Sequence, residues 1–92
     1  MANPKFRLEV SYHDTTGEPV AAYLRVREGA VAQTKEVSEG VAFADYGGDG
    51  SLLGIELLAP CPVAILDRVS ETEPEAVRRF LRRGVRQEML RA

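Results

Sequence analysis

Glu39-Gly-Val-Ala-Phe-Ala-Asp-Tyr-Gly-Gly-Asp-Gly-Ser-Leu-Leu-Gly-Ile-Glu-Leu-Leu58 is the stretch that decides the fold. Apolar residues recur at every second position on both sides of Gly47-Gly48-Asp49-Gly50, and only a two-residue period keeps one set of side chains on one surface of a sheet. The turn between them needs positive φ angles, which glycine supplies without steric cost and aspartate tolerates. Two strands folded back on each other follow. Val41 and Phe43 on the first strand, and Leu53, Ile55 and Leu57 on the second, are the expected inward set. Gly54 interrupts the outer face and marks a bulge or a close backbone approach.

Upstream, Phe6, Leu8, Val10 and Tyr12 alternate with Arg7, Glu9 and Ser11, giving a strand with one dry and one wet face. His13-Asp-Thr-Thr-Gly-Glu-Pro19 is turn chemistry. A second alternating set, Val20, Ala22, Leu24 and Val26, has Tyr23, Arg25 and Arg27 opposite it. Val31 to Val37 is a more polar strand, and its Gln33-Thr-Lys-Glu36 centre belongs at an exposed face or edge. Short connections favour an antiparallel meander of four to five strands over residues 1–60.

Composition changes at Ala59-Pro-Cys-Pro62, where two prolines end strand pairing. Val63 to Val69 reads as either a short helix with Ile65, Leu66 and Val69 inward or an extra strand, the helix being preferred. Thr72-Glu-Pro-Glu75 matches a capping box. Val77, Phe80, Leu81, Val85 and Met89 then fall on one stripe of a helix at about 73–90. The fold class is thus α+β, with a sheet followed by a helical segment over 61–92, in one domain of 92 residues.

A domain this short hides only about 60–65% of its unfolded surface, so added stabilisation is expected. One cysteine excludes an intramolecular disulfide, and one histidine with one cysteine cannot make an ordinary zinc site alone. Oligomerisation is the remaining device. No apolar run approaches the ~20 residues that cross a bilayer and no secretory leader pattern opens the sequence, so a cytoplasmic, membrane-free protein is expected. Residues 71–92 carry six arginines and four glutamates against an overall net charge of −2.

Several residues invite chemistry. His13-Asp14 lies in a turn with no nucleophile assigned to it. Cys61 lacks an assigned base or cation, and free cysteine usually behaves as a small hydrophobe. Asp45, Asp49 and Glu56 bracket the hairpin, but Gly47 and Gly48 stand where an EF-hand would place ligands. No catalytic residue, metal or cofactor is therefore assigned. The basic helix, with Arg78, Arg79, Arg82, Arg83 and Arg86, is a solvated face, a carboxylate-binding surface for a protein partner, or a nucleic-acid surface. The acidic overall charge ranks the last of these lower.

Tyr12 to Pro60 resembles a family of short prokaryotic proteins known as domain of unknown function 2283. The residues that carry the resemblance are His13-Asp14, Tyr23-Leu-Arg-Val-Arg-Glu-Gly29, Thr34-Lys-Glu-Val37, Glu39-Gly-Val41, Asp45-Tyr46, Asp49-Gly50 and Gly54-Ile-Glu56. Gly47-Gly48, where the family is usually acidic, and the arginine-rich helix depart from it. The resemblance implies a compact antiparallel sheet with helical additions, no assigned catalytic residue, and an antitoxin-like or partner-binding role. The expected function is a non-enzymatic interaction module acting as a homodimer, with a nucleic-acid-binding regulator as alternative and a small enzyme behind it. Ala21 and Tyr23 on one strand, with Ala42, Ala44 and Tyr46 on another, form the expected partner-binding sheet face, joined by the helix arginines.

Overall fold

The central hairpin forms as its alternation predicts. In the computed structural model, which describes residues 5–58, 61–83 and 90–91, it comprises β4 (Ala42–Tyr46) and β5 (Leu52–Leu57). Its turn closes through Gly47 N–H to the Ser51 carbonyl at 2.9 Å, and Gly50 takes a φ of 84°. Asp49 accepts hydrogen bonds from the Ser51 amide and hydroxyl at 3.0 and 2.6 Å, an Asx-type closure. The remaining strands are β1 (Arg7–Tyr12), β2 (Pro19–Arg25) and β3 (Gln33–Ser38).

These make a five-stranded sheet in the order β1-β2-β5-β4-β3, antiparallel throughout. The α+β class and the antiparallel sheet are as expected, but the order is not strictly sequential. β2 pairs with β5, so β2 to β5 form a Greek key. Burial explains the choice. β5 is buried at every residue but Glu56 and takes the centre, whereas the first four residues of polar β3 are exposed and it takes an edge. Residues 26–32 cross the end of the sheet as a strap. It is held by the amides of Val26 and Arg27 on the Leu53 carbonyl (2.7 and 3.2 Å) and by Ala32 N–H on the Tyr46 carbonyl (2.8 Å).

Register fixes which residues share a face. Ala22 and Ala42 flank Leu57, and Leu24 and Ala44 flank Ile55. All six are buried with Leu66, Val77 and Leu81 of the helices. The assignment of Ala42 and Ala44 to the second face with Tyr23 is therefore overturned: they lie under the helices, and Phe43 points the other way with Tyr23. The short alanine side chains leave room for helices to approach. A register shift sets Tyr46 opposite Leu52 and Asp45 opposite Gly54, so Leu53 is the extra residue of a bulge. Leu52 thereby takes the core slot expected of Leu53, and Leu53 packs beside the strap at Gly29. Arg27, expected on the wet face, is 1% exposed, because the chain leaves β2 at Arg25 and turns into the strap.

After β5 comes a two-residue strand, β6 (Cys61–Pro62), followed by α1 (Val63–Val69) and α2 (Glu75–Arg83). Residues 63–69 are thus helical, with Leu66 buried and Ile65 and Val69 packed at the core margin. α2 starts at Glu75, and the Pro74 carbonyl accepts from the amides of Val77 and Arg78 at 3.0 and 3.2 Å. The proline in the expected capping box displaces it, since Pro74 fits the first turn and Thr72 falls outside. Val77 and Leu81 are buried and Phe80 half-buried, as the stripe predicts; Val85 and Met89 lie outside the described residues. Leu90–Arg91 is not helical but a short strand, β7, parallel to β6. Burying side chains such as Leu24, Ile55 and Leu66 stabilises the packed face by about 1.5–3 kcal/mol each.

Candidate interaction surfaces

α1 and α2 cover one face of the sheet, and no described helix covers the other. Two registered rows cross the open face. One reads Arg7, Arg25, Gly54, Asp45, Thr34; the next reads Glu9, Tyr23, Glu56, Phe43, Glu36. The Tyr23 hydroxyl donates to Asp45 Oδ2 at 2.9 Å, and Thr34 donates to Asp45 Oδ1 at 2.6 Å. The tyrosine reaches Asp45 by lying over Gly54, where an added Cβ would stand 2.5 Å from its hydroxyl oxygen. Gly54 is therefore the close approach its sequence position implied, made by a cross-strand ring. Burial first, then the hydrogen bond and charge of Asp45, push the Tyr23 phenol up to about 12. The Arg25 guanidinium sits 5.8 Å from the Tyr23 ring centroid and donates to the Arg27 carbonyl at 3.2 Å. Tyr23 is thus bound within its own sheet.

Tyr46 lies on the opposite, helix-bearing side. Burial and the nearby Glu73 carboxylate raise its pKa, and the Lys35 ammonium stands 5.3 Å from its ring centroid. The structure therefore does not bring Tyr23 and Tyr46 together. Arg78, Arg79, Arg82 and Arg83 line a cavity of about 630 Å³ between the helices, together with Asp67, Glu71 and Glu75. Arg79 pairs with Glu75 at 2.9 Å and Arg82 with Asp67 at 3.3 Å, all four side chains being half or more exposed. Arg78 and Arg83 make no ion pair among the described residues, and Arg86 lies outside them.

The residues that invited chemistry have local duties. His13 Nδ1 accepts from the amides of Thr15 and Thr16 at 3.2 and 3.3 Å, so the imidazole closes its turn rather than facing Asp14. The Ser51 hydroxyl, and then its amide, hold the Asp49 carboxyl below the usual carboxylate range. Asp45 is occupied by Tyr23 and Thr34, and Glu56 points to solvent. Cys61 enters the β6–β7 pairing through its backbone.

Two features escape the sequence reading. The first is an ion pair between Arg27 Nη2 and Glu73 Oε1 at 2.8 Å, side chains 1% and 14% exposed, which ties the strap to the segment before α2. No local pattern signals it. The second is the edge strand β1, where Phe6, Leu8 and Tyr12 remain 41%, 38% and 47% exposed. Alternation identifies them as a dry face, yet the helices leave it open. Phe6 stacks on Phe80 of α2 at 4.6 Å between centroids.

Residues 21–59 match a family described as "Protein of unknown function (DUF2283)", which bears out the resemblance over that segment. The match takes in almost all of the Greek key, β2 to β5, and leaves β1 and both helices outside it. No curated protein and no solved structure matches the chain. Among the described residues no helix is long and apolar enough to cross a membrane.

Proposed function

We propose that this protein is a non-enzymatic interaction module that works as a homodimer. The observation that carries the reading is the apolar margin of β1, where Leu8 and Tyr12, with Phe6 just before the strand, stay exposed, and β1 has a neighbour on one side only among the described strands. An edge strand with an apolar face is a template for pairing, and soluble proteins normally blunt such edges. The open sheet face serves self-association less well. Glu56 stands on its central strand between Glu9 and Glu36 in the same row, so stacking two copies there would bury like charges. That face fits a partner of another kind, and the antitoxin-like role implied by the resemblance is one form of this; a small protein recovered by affinity capture from the native cell would support it.

Nucleic-acid binding through α2 is the second reading, favoured by Arg78 and Arg83, which make no ion pair among the described residues. Asp67, Glu71 and Glu75 line the same cavity and offset it. Light scattering across a concentration series tests the main reading. A seam of one strand is small, so a dissociation constant on the order of micromolar to tens of micromolar is expected. A monomer at every concentration up to about ten times that range refutes the homodimer.

A further inference from the structure

We infer that β1 pairs antiparallel with β1 of a second copy, with Leu8 on the two-fold axis. This specifies the seam of the homodimer proposed above and rests on it. The sheet has two edges, β1 and β3. β3 is polar and exposed over its first four residues, carries Lys35 at its middle, and is broken in register between Glu36 and Ser38. Those are the devices that keep an edge from pairing. β1 is charged as well, but its Arg7 and Glu9 lie on the open face; on the helix-bearing face it sets Leu8 and Val10 where β3 sets Lys35, and its register is unbroken over residues 7–11, the irregularity falling at Ser11/Tyr12.

A two-fold axis normal to the sheet keeps each face on its own side, so it permits only registers that set a residue opposite itself. Placing Leu8 there sets Arg7 against the partner's Glu9, and Glu9 against the partner's Arg7, on the open face. On the helix-bearing face it sets Phe6 against the partner's Val10 and Leu8 against its own copy. Every charged pair in that core is attractive and every apolar residue meets an apolar one. The neighbouring registers do worse: Glu9 or Arg7 on the axis opposes like charges, and Val10 on the axis runs the pairing into the Ser11/Tyr12 irregularity.

The test is a charge exchange read by sedimentation velocity. The Arg7 and Glu9 side chains are 58% and 60% exposed, so variants there keep the fold, which circular dichroism checks. Arg7→Glu gives a strand with glutamate at both positions, and Glu9→Arg one with arginine at both. Each variant alone is expected to dimerise about tenfold more weakly than the parent, through two lost attractions and two new repulsions. Mixed in equal amounts they are expected to form a heterodimer of parental affinity, because each Glu of one then meets an Arg of the other. If the parent dimerises and the single variants match it, the β1 seam is wrong and the homodimer reading stands. Weakened variants that fail to recover on mixing overturn the register. A parent that is monomeric throughout overturns both.

Discussion

Replacing Glu73 by alanine removes a carboxylate that pairs with a cation having almost no access to water. Arg27 is 1% exposed, with Nη2 2.8 Å from Glu73 Oε1 and Nη1 donating to the Leu52 carbonyl at 3.0 Å. Removing one member of a buried pair costs about 3–5 kcal/mol, mostly because the surviving charge is left desolvated. Glu73 keeps 14% exposure and Arg27 keeps the Leu52 carbonyl, so water and a dipole soften the loss, and about 3 kcal/mol is expected. For 92 residues the whole stability is roughly 5–14 kcal/mol, so the loss would be severe. Urea unfolding followed by circular dichroism measures it. With a slope of about 1–1.5 kcal/mol per molar, the midpoint should fall by roughly 2–3 M. The paired variant Arg27→Met with Glu73→Leu removes both charges and should recover most of the loss. Glu75→Ala is the internal control, since its pair with Arg79 is 56% and 74% exposed and should contribute no more than about 0.5 kcal/mol. If Glu73→Ala cost no more than Glu75→Ala, or if the paired variant were less stable than Glu73→Ala alone, the reasoning would be wrong.

That ion pair also marks where the sequence stops being readable. Period-two alternation locates all five strands of the main sheet, because each has one face that must be dry, and the Gly50 turn is legible because few residues take its φ. Strand order is not legible in the same way. Short loops argue for neighbours, but burial sends β5 to the centre and β3 to the edge, and residues 26–32 cross the end of the sheet to connect β2 with β3. The face of β4 is not legible either, because alanine and phenylalanine alternate there and hydrophobicity alone favours the larger residue as core. Register with Ile55 and Leu57 reverses that choice, since helices need the short side chains beneath them. Among candidate site residues, the α2 arginines share a surface as their spacing implied, whereas Tyr23 and Tyr46 fall on opposite sides. The Arg27–Glu73 contact joins residues 46 positions apart, and nothing local distinguishes either from a solvated neighbour. The exposure of Leu8 and Tyr12 on β1 is set by tertiary packing, which alternation within β1 cannot report.

The remaining predictions concern the open face. A phenol whose folded pKa is about 12 against an ordinary 10.0 binds its proton more tightly in the native state. The stability this gives is complete below pH 10 and is lost as pH rises through 10 toward 12, because the unfolded chain releases its proton first. Absorbance titration at phenolate wavelengths should show a component near 12 that disappears in Tyr23→Phe and moves down in Asp45→Asn; an unmoved component would assign it elsewhere. Gly54→Ala tests the geometry that makes this possible. Its Cβ would stand 2.5 Å from the Tyr23 hydroxyl oxygen, 2.7 Å from Cζ and 3.0 Å from the Leu24 carbonyl oxygen. The ring can swing away only by giving up Asp45, while the carbonyl belongs to the paired strand and cannot retreat as far, so a cost of about 1–3 kcal/mol is expected. In a Tyr23→Ser background the two closest contacts vanish and the tight carbonyl contact remains, so the same substitution should cost roughly 1 kcal/mol or less. The difference between the two backgrounds isolates the ring from the backbone. An alanine at 54 that costs as much without the ring as with it would show that Gly54 serves the strand, and not the passage of Tyr23 to Asp45.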